Sequence, residues 1–150
     1  MLIGCANCAT LNRVPPERLA EGPVCGKCKT ALVDGKPVAL SEASFDAAVL
    51  RTELPVVVDF WADWCGPCHA MAPGFERAAA EMKPRVRFAK LDTEAAQSIA
   101  ARYGIRSIPT MILFRQGQEA ARVSGAMDAR GIQSWVNQEL GRFMRPGDRA

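Results

Sequence analysis

The chain has 150 residues, 49% of them hydrophobic, enough for one ordinary core with a small satellite module but not for two full-sized domains. Its 19 basic and 16 acidic residues leave a formal charge of +3, too small and scattered an excess to predict a polyanion partner, so no nucleic acid is expected. No stretch approaches the length needed to cross a bilayer, and the first residues lack a basic stretch followed by an apolar run, so a cytoplasmic location without membrane association is expected.

Six cysteines fall as three Cys-x-x-Cys pairs, a pattern that suits metal binding and redox exchange better than long-range staples. Residues 1–34 hold no Phe, Trp or Tyr, so this segment needs a metal, a disulfide or a partner to offset its conformational entropy. Cys5-x2-Cys8 and Cys25-x2-Cys28 match the double-knuckle spacing of a four-thiolate zinc site. One structural Zn2+ per chain is expected, with no open position for catalysis. Arg13, Arg18, Lys27 and Lys29 would offset the charge of four thiolates around a divalent cation. The rival reading is two further redox pairs, against which neither pair opens an evident helix nor carries a Pro between its thiols.

Residues 35–43 read as a connector in which Pro37–Leu40 could lay down a short strand, followed by a two-turn helix over Ser44–Leu50 with Ser44 as N-cap. Pro55–Trp61 is apolar and β-branched almost throughout, as a central strand buried on both faces would be. His69–Met82 carries apolar residues at helical spacing, and Pro73-Gly74 should kink that helix without ending it. Val86–Leu91 predicts a strand, Glu94–Tyr103 a helix stopped by Gly104, and Thr110–Phe114 and Glu119–Val123 a hairpin turning at Gln116-Gly117-Gln118. Asp128 caps a last helix reaching about Phe143, with Ile132, Trp135, Val136 and Leu140 facing the core. These elements make an α/β fold: a mixed sheet with helices on both faces.

Cys65 and Cys68 lie in Trp64-Cys65-Gly66-Pro67-Cys68, between the apolar strand and the helix. Opening and closing a disulfide there moves two electrons without an organic cofactor in this chain. Unpaired backbone N–H groups at the helix start favour a thiolate at Cys65, the expected nucleophile. Cys68, about one turn further in, is the expected resolving thiol. Pro67 suits a first helical turn, and Gly66 lets a substrate approach the backbone. Asp59 stands inside the apolar strand, where burial should raise its pKa, unless it turns to solvent at a sheet edge.

Val58–Cys68 resembles the active-site segment of the thioredoxin family, and Tyr103–Thr110 resembles its cis-proline loop, which makes Pro109 the expected cis residue. The resemblance covers about residues 44–143 and implies a thioredoxin-like domain over that span, with a C-terminal tail at 144–150. Together with the zinc-ribbon module at 1–34, the architecture is similar to the zinc-containing bacterial thioredoxin 2 group. The resemblance implies that Asp59 exchanges protons near the resolving cysteine with Lys90 close to it. It also implies that Trp64, Ile108, Pro109 and Gly125 bind the extended peptide around a substrate disulfide. It further implies disulfide-containing protein substrates and regeneration by an NADPH-dependent, flavin-containing thioredoxin reductase; a monomer is expected. Ser124 and His69 depart from the family pattern and bear on substrate preference, with His69 read as a solvated bystander that tunes local charge. A disulfide oxidase or isomerase, or a non-catalytic binding scaffold, are the competing functions.

Overall fold

The computed structural model describes residues 1–142, so the expected tail at 144–150 and Phe143 lie outside the described residues. Strands β1 (Leu2–Gly4) and β2 (Leu11–Arg13) form an antiparallel hairpin, and a 3-10 turn follows at Pro16–Glu21. The larger domain comprises β3 (Val38–Ala39), a short π-helical turn (Asp46–Leu50), β4 (Val56–Trp61), α1 (Gly66–Met82), β5 (Arg87–Asp92), α2 (Gln97–Arg102), β6 (Thr110–Arg115), β7 (Gln118–Ser124) and α3 (Ala129–Gly141). Its five strands are ordered β3-β5-β4-β6-β7.

Strand β4 lies at the centre, parallel to β5 and antiparallel to β6, which is why every residue from Val56 to Phe60 is buried. Alternation divides its side chains between two cores. Val56, Val58 and Phe60 join Phe45, Ile99, Ile112 and Phe114 on the side of α2 and the 46–50 turn. Val57 joins Met71, Phe75, Phe88, Met111, Ile132 and Val136 on the side of α1 and α3. By the same two-residue period Asp59 faces the α1 side.

The helix starts depart from the expected ones in two places. Ser41, rather than Ser44, caps the turn before Asp46: the Ser44 N–H donates to Ser41 Oγ (3.0 Å) and the Ser41 N–H donates back to Ser44 Oγ (3.0 Å). That reciprocal pair is a capping box in which a second serine takes the usual place of Glu or Gln. Asp92 Oδ1 accepts from the Glu94 N–H (2.9 Å), closing a turn that delays α2 to Gln97. Helix α1 runs through Pro73, Gly104 ends the α2 segment at φ +60, and Asp128 caps α3 by accepting from the Gly131 N–H (2.8 Å). The hairpin turn needs positive φ at Gln116 and Gly117, and a side chain at Gly117 would press against the Leu50 carbonyl.

The N-terminal module is docked on the larger domain. The Glu53 N–H donates to the Leu2 carbonyl (2.8 Å) and the Gly4 N–H to Thr52 Oγ1 (2.9 Å). Leu54 completes the module's small apolar cluster with Ile3, Val14, Leu32 and Val33. The weak core expected of residues 1–34 thus has a protein partner as well as its cysteines.

Candidate functional site

Cys65 and Cys68 are joined by a disulfide where β4 hands over to α1, with Cα atoms 5.3 Å apart. Cys65 is the N-cap of α1, and its sulfur accepts from the Cys68 N–H (3.2 Å). A donor so placed favours a thiolate at Cys65 once the disulfide is reduced. Pro67 lies in the first turn, where its missing N–H leaves no hydrogen bond unmade, and an added side chain at Gly66 would meet open space. Both sulfur-bearing residues are nearly occluded, at 3% and 2% exposure, so a substrate must approach through the surface around them.

Asp59 is 1% exposed, and neither carboxylate oxygen has a hydrogen-bond partner among the described residues. Burial pushes its carboxyl up to about 7, with the positive charge of Lys90 opposing that rise. Lys90 stands opposite Asp59 in the β4–β5 register, yet its ammonium lies over the Trp61 indole, 4.4 Å from the ring centroid. The two groups interact through space, and no ion pair joins them among the described residues. A buried carboxyl with no fixed partner and a pKa near neutrality can take or release a proton without breaking a hydrogen bond.

The surface beside the thiols is formed by Trp64, 71% exposed, and the loop before β6. The Ile108–Pro109 peptide is cis, and the Ile108 carbonyl oxygen lies 3.7 Å from Cys65 Sγ. Gly125, at φ +103, donates its N–H to the Pro109 carbonyl (2.9 Å). Trp64 Nε1 donates to Glu94 Oε1 (2.8 Å), which orients the indole at the rim of a cleft of about 160 Å3 lined by Thr93, Ile105, Arg106 and Ile108. A larger cavity, about 450 Å3, lies on the N-terminal module near Val14, Pro23 and Val24 and has no thiol in its lining.

The two departures from the family pattern have defined places. His69 is exposed, as expected of a solvated residue, but it is also tethered: Nε2 lies 2.7 Å from the Asp63 carbonyl oxygen, so that nitrogen carries the proton and donates, and the ring meets the Trp61 edge. It ties the loop before Cys65 to the start of α1. Ser124 shares a hydrogen bond with Thr110 Oγ1 (2.8 Å), whose hydroxyl lies 2.6 Å from the Ser107 carbonyl, linking the cis-proline loop to the Gly125 loop.

Cys5, Cys8, Cys25 and Cys28 bring their four sulfurs within 4.8 Å of one another, with Cys5–Cys28 at 3.5 Å and Cys8–Cys25 at 3.6 Å. A tetrahedral zinc with Zn–S bonds of about 2.3 Å requires S···S separations of about 3.8 Å, so the donor set fits that ion. Each knuckle repeats one local design. Cys5 and Cys25 accept from the N–H of Ala9 and Lys29, and donate their own N–H to the carbonyls of Thr10 and Thr30. Ala9 and Lys29 take φ values of +65 and +67. The Thr30 hydroxyl and N–H, with the Asn7 amide, hold the Cys28 thiol down to about 5, whereas burial raises Cys5 to about 11. Thr10 and Thr30, each 3.2 Å from the sulfur two residues earlier, are site residues that the cysteine spacing alone does not single out. The repeat Cys-x-x-Cys-x-Thr, in Cys5–Thr10 and again in Cys25–Thr30, was the available signal.

Comparison with known proteins agrees with this geometry. A family model described as Thioredoxin matches residues 36–138, and a zinc-ribbon model described as Thioredoxin 2, N-terminal matches residues 4–30. The chain is 46% identical over 140 residues to Thioredoxin C-3 of Corynebacterium nephridii, covering 93% of this chain and 96% of the relative. It is 40% identical over 101 residues to a thioredoxin of Porphyra purpurea, covering 67% and 94%. Against a chloroplastic M-type thioredoxin of Chlamydomonas reinhardtii the identity is 35% over 130 residues, covering 85% and 93%.

Proposed function

The chain belongs to the thioredoxin family and is a protein-disulfide reductase, and from that premise we propose how its residues divide the chemistry. The Cys65 thiolate attacks one sulfur of a substrate disulfide; a mixed disulfide forms and the other substrate sulfur leaves as a thiolate. Asp59 takes the proton of the Cys68 thiol, and the Cys68 thiolate attacks Cys65 Sγ. The second substrate sulfur leaves and is protonated, the substrate has gained two electrons, and the pair ends as the Cys65–Cys68 disulfide. Lys90 tunes the Asp59 carboxyl by its charge. Trp64, Gly66, Pro67, Ile108, Pro109 and Gly125 form the surface that takes the substrate peptide in an extended conformation. The observation that carries this reading is the disulfide-bonded pair at the opening of α1, with an unpartnered buried carboxyl on the α1 side of the sheet.

Cys5, Cys8, Cys25 and Cys28 would hold one zinc ion per chain, which crosslinks the two knuckles and has no role in the thiol cycle. The partners of this reading are disulfide-containing proteins and an NADPH-dependent, flavin-containing thioredoxin reductase, acting on a monomer in the reducing cytoplasm. No helix among the described residues is long and apolar enough to cross a membrane.

Reductase-coupled reduction of a protein disulfide, followed by NADPH oxidation, tests the cycle. Cys68→Ser should abolish turnover while holding substrates on Cys65, and Cys65→Ser should abolish both. Failure to trap any disulfide substrate on Cys65 would remove its assignment as the attacking thiol.

A further inference from the structure

Arg87 is the charged residue least expected where it stands. It begins β5 at 2% exposure, in a strand whose neighbours Val86, Phe88 and Ala89 are core residues. Burying a guanidinium is costly unless its donors are met; here the two terminal nitrogens reach peptide carbonyls, while Nε is buried without a hydrogen-bond partner among the described residues. NH1 donates to the Gly4 carbonyl (2.7 Å) and the Ala48 carbonyl (3.0 Å), and NH2 to the Leu32 carbonyl (2.6 Å). Gly4 immediately precedes the first ligand cysteine. Leu32 closes the second knuckle, where its N–H donates to the Pro23 carbonyl (3.0 Å) beside the Val24–Ala31 bridge. One planar fork therefore grips the beginning of one knuckle, the end of the other and the 46–50 turn.

The fit around this junction is tight. Thr52, 1% exposed, accepts from the Gly4 N–H (2.9 Å) and donates to the Ala47 carbonyl (2.9 Å). Gly4 itself packs so closely that a Cβ there would collide with the Ala47 carbonyl. Both peptide groups flanking the Gly4 α-carbon are thus held by side chains of the larger domain.

We propose that Arg87 is a positioning residue for the metal centre: by holding the Gly4 and Leu32 carbonyls it sets the spacing of the two cysteine knuckles from within the redox domain, so that metal retention depends on the docked junction. The knuckles contribute the ligands, and β5 contributes the brace that keeps the four sulfurs convergent. Coupling of this kind is reciprocal: if docking favours the metal-bound module, metal binding must favour the docked domain by the same factor. The inference rests on the zinc assignment made above.

The test measures metal transfer from the intact protein to a chromogenic chelator, 4-(2-pyridylazo)resorcinol, under native conditions. Arg87→Met and Thr52→Val remove the junction bonds, and Val136→Ala weakens the distant core between α1 and α3 as a control for general destabilisation. Both junction variants should release zinc at least tenfold faster than the wild type while disulfide reduction stays within twofold, and Val136→Ala should release it at the wild-type rate. Chelation should also lower the melting temperature of the wild type by more than that of either junction variant. Release from the junction variants within twofold of the wild type, or equal acceleration by Val136→Ala, would overturn the proposal. If Arg87→Met does not fold, Thr52→Val alone decides it by the same criteria. A wild-type chain that purifies folded and without zinc overturns the metal assignment itself, an outcome distinct from zinc held equally well by wild type and junction variants.

Discussion

Replacing Asp59 with Asn isolates the cost of a buried ionised carboxylate. In the unfolded chain the Asp59 carboxyl titrates near its ordinary value of 3.8, and in the folded protein burial carries it up to about 7. Between those values the folded state binds a proton that the unfolded state has released, so rising pH favours unfolding there. Each pH step across the interval is worth about 1.36 kcal/mol, which brings the full penalty to about 4 kcal/mol above about pH 7. Asn has no such titration, and its unpartnered buried amide costs the same at every pH. The Asn variant should therefore gain stability relative to the wild type as pH rises from about 4 to about 7, then hold a constant advantage. Urea unfolding of both proteins at about pH 4.5, 6 and 8, in oxidised and reduced forms, measures this. The same variant should resolve mixed disulfides more slowly near neutral pH, because the Cys68 proton has lost its acceptor. A stability difference that stays flat across that range would refute the titration, and an unchanged resolution rate would remove Asp59 from the proton transfer.

Gly4→Ala places a methyl against the Ala47 carbonyl and should cost about 1–3 kcal/mol in urea unfolding while exposing residues 1–34 to protease; wild-type behaviour in both would contradict the docked junction. Ser124→Val removes one hydroxyl from the Thr110 link but leaves the Ser107 carbonyl partner in place, so stability should change by less than about 1 kcal/mol. Its new apolar shoulder beside Gly125 should lower KM for disulfides flanked by apolar residues with kcat unchanged, and an equal effect on polar and apolar substrates would count against Ser124 as a selectivity position. His69→Ala deletes the bond to the Asp63 carbonyl and should cost about 0.5–1 kcal/mol, with slower attack by Cys65 in stopped-flow reduction; an unaltered attack rate would leave His69 with no part in presenting Cys65.

The parts of this protein legible in its sequence are those whose chemistry is local. A strand buried on both faces must be apolar along its whole length, so Val56–Phe60 declares itself, and an Asp within that run is conspicuous. The opening of α1 follows from Pro67, and the hairpin from Gly117. Long-range polar bonds leave no such trace. Arg87 reads as one more charge in a strand of mixed character until Gly4, Ala48 and Leu32 are seen to converge on it from three segments. Ser41 and Ser44 are equally good caps by residue type, and the choice between them depends on where the chain leaves β3. Lys90 illustrates the opposite case: register puts it opposite Asp59, and an aromatic neighbour two residues along β4 draws its ammonium away.

Cys-x-x-Cys occurs three times in this chain, and what separates its uses is the backbone that follows. After Cys68 the chain continues as helix, so the sulfurs of Cys65 and Cys68 lie about one turn apart and close on each other. After Cys8 and Cys28 the chain turns back through positive φ at Ala9 and Lys29, and each pair meets the sulfurs of the other knuckle instead. Positive φ at Ala and Lys is unfavourable by itself, and the backbone bonds that close each knuckle, joining Ala9 and Thr10 to Cys5 and Lys29 and Thr30 to Cys25, hold it. Substituting Gly at Ala9 or Lys29 should therefore stabilise the module by about 1 kcal/mol in urea unfolding, with the four cysteines left in place. The redox pair faces the opposite requirement, since a glycine in place of Pro67 would loosen the helix start that presents the Cys68 N–H to Cys65. One spacing serves two chemistries because a helix turns the two sulfurs toward each other and a left-handed turn aims them at a neighbour.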